Sequence, residues 1–349
     1  MKIAIDVSPL QTGHRIRGIG FYVENLKASI LKYYPENDYI FFSKTSEIPK
    51  DVDLVHYPYF DPFFITLPLI KKHRTVVTVH DLTPLVFPAH FPSGAKGKLK
   101  WQIQKNTLKK TDAIITDSES SKSDIAKYTG FPQNKIDTVY LAAGEEFHVL
   151  KPTAKSQELI AKYKLPEKFV LYVGDVTWNK NLPRLIKAIN LTKIPLVMVG
   201  AALVNKNFDK NNPWNQDLLL TQELITNNPN IKTLGFVPTE DLVVLYNLAT
   251  IFTMPSLYEG FGLPILEAMQ SGCPVITSKT GSLSEVAGKA AYYVDAKSID
   301  NISRGISEVF ESEKTQTKLT EIGLSQAKKF TWQKAAAQTI EAYKKVLNQ

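Results

Sequence analysis

Two acidic side chains, Glu259 and Glu267, have the chemistry to bind vicinal hydroxyl groups, because a carboxylate accepts two charge-assisted hydrogen bonds from a diol. A sugar ring and a ribose both carry such diols. Between the two glutamates, Gly260 and Gly262 lack side chains, so the backbone there can approach a ligand closely. We therefore interpret the glutamates as two separate contacts to one elongated ligand.

A strand, a loop and a helix are predicted to position these glutamates. The apolar run 251–254 predicts a buried strand, Pro264 suits the first helical position, and Gly272 predicts the helix end. Glu259 then lies before the helix and Glu267 in its first turns. The N–H groups at the start of the helix suit a diphosphate. The alternative is that Glu259 is an ordinary loop residue and Glu267 serves the helix dipole.

The rest of the chain predicts strands that alternate with helices in two series. The strand-like runs are Lys2–Asp6, Tyr39–Ser43, Leu54–Tyr57, Thr75–His80, Ala113–Asp117, Thr138–Leu141, Phe169–Val173, Leu196–Gly200, Ile231–Leu234, Ile251–Met254, Val275–Ser278 and Ala291–Val294. Continuous apolar runs indicate parallel strands covered on both faces. We expect an α/β protein of two Rossmann-like domains facing across a cleft, 1–165 and 166–331, with a C-terminal helix over 332–349 packing back on the first.

The segment 255–273 resembles the Glu-x7-Glu signature of glycosyltransferase family 4 (glycosyltransferase group 1), the retaining enzymes of GT-B architecture. The resemblance implies that Glu259 faces the donor sugar and acts in catalysis, whereas Glu267 binds the ribose of the donor nucleotide. It also implies that four backbone amides lie near the diphosphate and the sugar. These belong to Gly260, Phe261, Gly262 and Leu263.

The stretch 170–188 is similar to the family segment that supplies a lysine to the donor diphosphate, and Lys180 matches that lysine. A cation there lowers the barrier, because the departing diphosphate gains negative charge. Asn179 is assigned to the donor site beside it. Many relatives have an arginine where this chain has Asp175 or Asn179. Either Lys180 and helix N-termini suffice, or Arg184 or an arginine of the N-terminal segment contributes.

Three further segments resemble donor-binding parts of the family. The glycine loop within 15–26 would bring Gly18 and Gly20 to the donor phosphates, although it is not the dinucleotide pattern Gly-x-Gly-x-x-Gly. His80, at the end of a strand, would contact the donor sugar near the reacting centre. The segment with Phe236 and Val237 would hold the nucleotide base through its backbone.

Other motifs leave alternatives open. Ser282 and Glu285 match either a family segment near the sugar-binding loop or a helix capping box. The aromatic loop 57–64 is interpreted as a contact for acceptor sugars or lipid, or as buried packing. Asp51 and Asp53 form an Asp-x-Asp pair, but they precede a strand rather than end one. We therefore expect no metal site and no cofactor, since the nucleotide sugar is a co-substrate.

The formal net charge is +8, and lysines are concentrated in the first half of the chain. The densest group comprises Lys96, Lys98, Lys100, Lys105, Lys109 and Lys110. One interpretation is a solvated helix face; the other is a surface that meets anionic lipid headgroups. Nucleic acid is disfavoured, since no zinc spacing, RNP-like motif or basic heptad pattern occurs. A single cysteine, the lack of a signal-peptide pattern and the lack of an apolar run of about 20 residues predict a cytoplasmic protein, at most peripheral to the inner face of the membrane.

The sequence therefore predicts a retaining, metal-independent transferase that uses a nucleotide sugar and a glycan or lipid-linked acceptor. Likeness to bacterial polysaccharide mannosyl- and rhamnosyltransferases slightly favours GDP-mannose over UDP- or dTDP-sugars. A nucleotide-sugar epimerase of the same fold is the alternative among enzymes. A non-catalytic sugar-nucleotide-binding protein is the alternative outside them.

Overall fold

The computed structural model describes residues 1–13, 18–151 and 154–348. In these residues, twelve strands form two six-stranded sheets whose pairings are all parallel. The strands are β1 Lys2–Asp6, β2 Asp38–Phe42, β3 Leu54–Tyr57, β4 Arg74–Thr78, β5 Ala113–Thr116, β6 Ile136–Thr138, β7 Val170–Val173, β8 Leu196–Val199, β9 Ile231–Gly235, β10 Ile251–Met254, β11 Val275–Thr277 and β12 Ala291–Tyr293.

Helices separate most of the strands. The α-helices are α1 Gly18–Tyr33, α2 Thr83–Val86, α3 Gly94–Leu108, α4 Glu119–Thr129, α5 Ala154–Tyr163, α6 Leu182–Thr192, α7 Ala201–Val204, α8 Gln216–Ile225, α9 Thr239–Leu248, α10 Leu263–Gln270, α11 Leu283–Ala287, α12 Ile299–Glu311, α13 Glu313–Ala327 and α14 Trp332–Leu347. Short 3-10 helices cover Ser8–Gln11, Thr45–Glu47, Gln133–Lys135, Trp178–Lys180 and Pro213–Asn215. None of the helices in the described ranges is both long and apolar enough to cross a bilayer.

The chain divides into two compact units, one of residues 1–142 with 330–349 and one of residues 143–329. The boundary therefore lies between residues 142 and 143, whereas the sequence predicted it between residues 165 and 166. The reason is helix α5, whose Lys162 and Tyr163 both donate to the carboxylate of Asp241 on α9, at 2.8 and 2.9 Å. These bonds attach the segment before β7 to the second unit.

The first unit is built on the sheet β2-β1-β3-β4-β5-β6. Its last strand is β6, over 136–138, whereas the sequence predicted a strand over 138–141. Leu141, the last apolar residue of the predicted strand, is buried in a loop without sheet pairing. Burial rather than strand pairing therefore explains that apolar run.

The C-terminal helix α14 belongs to the first unit and begins at Trp332, after Thr331 caps it through a side-chain bond from Lys334 N. One face buries Ile340, Tyr343 and Val346 completely. The hydroxyl of Tyr343 lies 2.7 Å from His56 Nδ1 on β3, so the last helix is joined to the middle of the first sheet.

The second unit is built on the sheet β12-β11-β10-β7-β8-β9. The chain runs outward from β7 through β8 to β9 and then returns to the opposite side of β7 with β10. The order thus reverses between β7 and β10. Ligands of open parallel sheets bind beyond the carboxyl ends of strands at such a switch point.

Candidate active site

The candidate site of the second unit is formed by the two loops that leave the switch point. We call residues 174–181, after β7, the lysine loop, and residues 255–262, after β10, the glutamate loop. Because β7 and β10 are hydrogen-bonded neighbours, both loops start from the same edge of the sheet. The topology therefore brings together two segments separated by about 80 residues of sequence.

Lys180 and Glu259 form a bidentate ion pair between these loops. Lys180 Nζ lies 2.9 Å from Oε1 and 2.8 Å from Oε2 of Glu259. Both side chains are mostly buried, at 19% and 8% exposure. Ser256 Oγ also donates to Glu259 Oε1, at 2.7 Å. The contacts with a cation and a hydroxyl fix the position of this buried carboxylate. An exposed glutamate, in contrast, would be free to rotate.

Asn179 connects the two loops through hydrogen bonds of its side chain and its backbone. Its Nδ2 donates to Tyr258 O at 3.0 Å, and its Oδ1 accepts from Thr177 Oγ1 at 2.7 Å. Its own carbonyl accepts from Leu257 N at 2.7 Å. The side chain assigned to the donor site by sequence is thus used to hold the glutamate loop against the lysine loop.

A third segment, residues 278–282, supports the glutamate loop, and we call it the bracing segment. Ser278 Oγ and Thr280 Oγ1 both donate to Ser256 O, at 2.6 and 2.8 Å. Ser282 Oγ contacts Glu259 O at 3.0 Å and Phe261 O at 2.8 Å. The side chain of Ser282 makes no cap bond to α11, so the capping-box interpretation is wrong. The position of Glu285 near the sugar-binding loop stays a prediction.

The glutamate loop ends at Gly262, whose φ of 96° is in the left-handed region that favours glycine. A β-carbon there would lie 2.9 Å from Leu283 Cδ2, so a side chain would also clash. Helix α10 begins at the next residue, Leu263, with Pro264 in its first turn. Phe261 is buried, as is Gly260. The glycines therefore let the chain pass from a buried loop directly into a helix N-terminus.

Glu267 lies in the second turn of α10 and is buried. Its Oε2 accepts from the hydroxyl of Tyr246, on α9, at 2.8 Å. Burial raises the pKa of Glu267 to about 7, against the hydrogen bond from Tyr246, and the charge of Glu146 raises it further. Glu267 therefore changes its protonation state near neutral pH, unlike an ordinary surface glutamate.

The segment after β9 presents Phe236 with 62% of its surface exposed, whereas Val237 is buried. Pro238 follows and caps α9. An exposed aromatic ring beyond the carboxyl end of a strand is a stacking surface for a planar base. Of the two residues assigned here, Phe236 is therefore exposed and Val237 anchors the segment, and their contact with the base stays a prediction.

Two positions near Lys180 that hold an arginine in many relatives have an acidic residue, Asp175, and an uncharged one, Asn179, in this chain. Asp175 is exposed and its Oδ1 accepts from the next backbone amide, Val176 N, at 3.0 Å. Arg184 NH1 donates to Asn181 Oδ1 at 2.9 Å. The N-terminal arginines, Arg15 and Arg17, lie outside the described residues.

In the first unit, His80 follows β4 and lies against the ends of the strands on either side. Its Nδ1 is 2.7 Å from Asp117 Oδ2, after β5, and its Nε2 is 3.2 Å from Pro58 O, after β3. Burial disfavours the imidazolium, but the Asp117 carboxylate outweighs burial and raises the pKa of His80 above its ordinary value. With an acceptor facing each ring nitrogen, the ring is suited to carry both protons.

The two glycines assigned to the donor phosphates begin helix α1. Gly18 is its first residue and is exposed, and a β-carbon on it would meet nothing within 4 Å. Gly20 is buried. His80, Gly18 and Gly20 belong to the first unit, whereas Lys180, Glu259 and Glu267 belong to the second.

Several residues that contact the assigned side chains, each within its own unit, were not singled out for those roles from the sequence. Asp117, Ser256 and Tyr246 hold His80, Glu259 and Glu267 respectively. Asp117 had a signal, because it ends a predicted strand, Ala113–Asp117, as His80 ends Thr75–His80, so both lie at the same edge of the sheet. Tyr246 had none, since it is one apolar position among others in α9.

The Asp-x-Asp pair lies before β3, as the sequence suggested, and is held by one lysine. Lys2 Nζ contacts Asp51 Oδ2 at 2.6 Å, and Lys2 N donates to Asp53 Oδ2 at 2.7 Å. Across the described part of the chain, no group of three or more His, Cys, Asp or Glu residues is arranged to hold a metal ion.

Two family models match consecutive parts of the chain. Residues 15–143 match Glycosyltransferase Family 4, and residues 155–326 match Glycosyl transferases group 1. The chain is similar to O-antigen chain mannosyltransferase B of Escherichia coli, at 34% identity over 78% of this chain and 71% of that protein. It is also similar to the serotype-specific mannosyltransferase WbdA of Escherichia coli, at 29% identity over 82% of this chain, but it spans about a third (35%) of WbdA.

Solved structures show the same fold at low identity. Sucrose-phosphate synthase of Thermosynechococcus elongatus matches with a TM-score of 0.78 at 18% identity, over 100% of this chain and 99% of that one. Anabaena HepE in complex with UDP-glucose matches with a TM-score of 0.74 at 16% identity, over 99% of this chain and 100% of that one. The two parallel sheets and these neighbours confirm the predicted α/β, GT-B fold. The chain belongs to the group 1 glycosyltransferases of glycosyltransferase family 4.

Proposed function

We propose that the chain is a retaining transferase that moves mannose from GDP-mannose to a glycan or lipid-linked acceptor and needs no metal ion. The observation that carries this proposal is the Lys180–Glu259 pair at the switch point, with Glu267 in the helix that follows. It combines a carboxylate for sugar hydroxyls, a cation for a diphosphate and a second carboxylate for a ribose.

The donor diphosphate is proposed to lie at the starts of α6 and α10. Each helix follows directly on one of the site loops, and helix N-termini attract anions. On binding, Lys180 exchanges the carboxylate of Glu259 for a phosphate oxygen. Glu259 then accepts hydrogen bonds from the sugar hydroxyls, so neither buried charge is left without a partner.

The transfer is proposed as a front-face displacement. The bond between the anomeric carbon and the diphosphate oxygen breaks, and the acceptor hydroxyl oxygen bonds to that carbon on the same face. The acceptor proton passes to the departing phosphate oxygen. Lys180 stabilises the negative charge that grows on the diphosphate, which replaces the role a metal ion has in other transferases.

The choice of donor rests on the relatives. The two Escherichia coli proteins are mannosyltransferases by name, which supports mannose. HepE was solved with UDP-glucose, so UDP-sugars are the main alternative. We propose that the reaction runs in the reducing cytoplasm, for which the single cysteine, Cys273, is suited as a buried free thiol.

A nucleotide screen followed by product analysis tests the proposal. GDP at 100 times its Kd is expected to stabilise the fold by about 2.7 kcal/mol in a thermal shift, with smaller effects of UDP and dTDP. Turnover of GDP-mannose with an acceptor extract is expected to continue in EDTA, and NMR of the product is expected to show the donor's anomeric configuration.

Four results would contradict parts of this proposal. An inverted anomer would exclude the front-face displacement, and loss of turnover in EDTA that Mg²⁺ restores would exclude metal independence. Conversion of the donor without an acceptor would identify an epimerase. Binding of nucleotide without turnover on any acceptor extract would identify a sugar-nucleotide-binding protein.

A further inference from the structure

The loop between β3 and β4 exposes four large apolar side chains. Phe64, Ile65, Leu69 and Ile70 are 50–77% exposed, and Ile70 is the most exposed large hydrophobic residue in the described ranges. Helix α3 adds Leu99, which is 65% exposed. Exposed apolar side chains that occur singly are ordinary, whereas a group of them indicates a surface that contacts something other than water.

Hydrogen bonds to helix α3 and buried side chains of its own hold this loop in a defined position. Gln104 Nε2, on α3, donates to Asp61 O at 3.2 Å and to Thr66 Oγ1 at 2.7 Å. Lys71 Nζ donates to Thr107 O of the same helix. Phe63 and Leu67 are buried beneath the loop. The exposed side chains are thus presented by a segment whose neighbouring residues are anchored to α3.

Lysines of α3 lie beside the apolar side chains. Lys100 Nζ is 4.9 Å from the centre of the Phe64 ring. Lys96, four residues before Lys100 and on the same face of the helix, is exposed. No Asp or Glu occurs from residue 62 to 80 or from 82 to 111, and the second range contains six lysines. The surface is therefore apolar and mainly positive. The acidic residue of the same loop, Asp61, is occupied by hydrogen bonds from Phe63 N and Phe64 N at 2.7 and 3.1 Å.

We propose that this surface, which we call the apolar–lysine patch, docks on an anionic membrane, with the loop side chains in the acyl boundary and the α3 lysines at the headgroups. Lysine is depleted in the contact surfaces of proteins, and a lysine group without acids suits lipid phosphates better than a protein partner. Apolar burial and charge attraction together give reversible interfacial binding. The patch lies within the first unit and its test requires no donor or turnover.

Vesicle flotation tests the docking. The purified chain is expected to bind vesicles of phosphatidylcholine mixed with phosphatidylglycerol, and to bind pure phosphatidylcholine much more weakly. Binding is expected to fall with rising salt. Replacing Lys96 and Lys100 by serine is expected to lower the partition constant about fivefold for each lysine. The matched control is Lys314→Ser with Lys318→Ser, two exposed lysines on α13 of the second unit, which are expected to have little effect.

Insertion of the loop is tested separately from charge attraction. The native Cys273 is buried, so Ile70→Cys offers one accessible thiol for an environment-sensitive nitrobenzoxadiazole label. Its fluorescence is expected to rise on anionic vesicles. The label on Leu191→Cys is expected not to respond. Leu191 is similarly exposed, at 60%, but it lies on α6 of the second unit and not in the patch. Phe64→Ser with Ile70→Ser is expected to reduce vesicle binding without lowering the melting temperature.

Three outcomes would overturn the inference. Equal or absent binding of both vesicle types would exclude anionic docking. Anionic binding with an unresponsive label at position 70 would exclude insertion. If the wild type ignores vesicles while Phe64→Ser with Ile70→Ser raises the KM for a glycan acceptor, the patch is an acceptor surface instead. The first two results do not depend on whether the proposed donor is correct, because they need no turnover.

Discussion

Glu259 and Lys180 are each other's main partners, and this mutual dependence is the central feature at the scale of single residues. The carboxylate is buried, so removing the lysine would leave it without its cationic partner. The lysine in turn is held where a donor diphosphate would meet it. The same pair is therefore expected to affect both the stability of the fold and the rate of the reaction. Single and double substitutions can distinguish the two effects.

Lys180→Met is expected to destabilise the fold by about 3 kcal/mol, because it leaves the buried Glu259 carboxylate with Ser256 as its remaining side-chain partner. It is also expected to lower kcat about 100-fold. Glu259→Gln alone is expected to lower kcat about 10- to 100-fold with little loss of stability, since an amide oxygen still accepts from Lys180. Urea unfolding and steady-state kinetics measure both.

The double variant gives the control for this pair. Adding Glu259→Gln to Lys180→Met is expected to restore most of the lost stability but none of the rate. Lys162→Met, which removes an exposed lysine from Asp241, is expected to leave kcat unchanged. If the double variant is as unstable as the sum of the single ones, the two side chains are not coupled.

Glu267 is expected to make both stability and donor affinity depend on pH. Its pKa is about 7 in the folded chain and near 4.5 when unfolded, so the folded state favours the protonated form. The resulting stability is present below pH 4.5 and is lost as the pH rises through about 7, on the order of 3 kcal/mol in total. Donor affinity is expected to change in the opposite sense, because only the ionised carboxylate can accept hydrogen bonds from both ribose hydroxyls in the proposed complex.

Calorimetry at pH 6 and pH 8 measures the donor affinity, and urea unfolding measures the stability. Glu267→Gln is expected to reduce the dependence of both on pH in this range, with the remaining dependence of stability due to His80, whose pKa is also raised. It is also expected to weaken donor binding while changing kcat little. A wild-type affinity that is independent of pH, together with unchanged affinity in Glu267→Gln, would show that Glu267 is structural.

At the scale of elements, the glutamate loop depends on the bracing segment. Gly281 has a φ of 58°, and a β-carbon on it would lie 2.5 Å from Glu259 O and 2.9 Å from Glu259 N. The close approach lets Ser282 reach the carbonyls of Glu259 and Phe261. A single glycine thus sets how near the two segments can lie.

Gly281→Ala is expected to move Glu259 and lower kcat about 100-fold, since a displacement near 1 Å costs that much in a positioned site. Gly94→Ala is the matched control: Gly94 has a similar φ of 61°, but a β-carbon there meets nothing within 4 Å. Both variants are expected to lose about 1 kcal/mol from the left-handed backbone, measured by urea unfolding. Equal kinetics in the two would contradict the bracing role.

At the scale of the whole molecule, the last helix completes the first unit through a buried polar chain. Tyr343 contacts His56, whose Nε2 lies 2.8 Å from Thr78 Oγ1, and Thr78 lies 3.0 Å from the Tyr22 hydroxyl. The Tyr22 ring stands edge-on to His80 at 4.8 Å. Burial lowers the pKa of His56 to about 3, so this histidine is neutral.

Tyr343→Phe is expected to cost about 1–3 kcal/mol, because it leaves His56 Nδ1 buried without that partner. Tyr292→Phe is the control, since the Tyr292 hydroxyl bonds Glu308 at an exposed site of the second unit, and it is expected to change stability by less than about 0.5 kcal/mol. Thermal unfolding of both variants measures the difference. Similar melting temperatures would show that the chain of polar contacts does not stabilise the first unit.

The sequence by itself determined how many strands there are and where they follow one another along the chain. It also determined that the sheets are parallel and which residues form the glutamate loop. Apolar runs, glycines and a proline encode these features locally, within a few residues. The tertiary structure decided the partners: Lys180 with Glu259, Tyr246 with Glu267 and Asp117 with His80. It also decided that residues 143–165 join the second unit. These contacts connect residues 21 to 79 positions apart, and strand order in the sheets, which no local pattern specifies, brings them together.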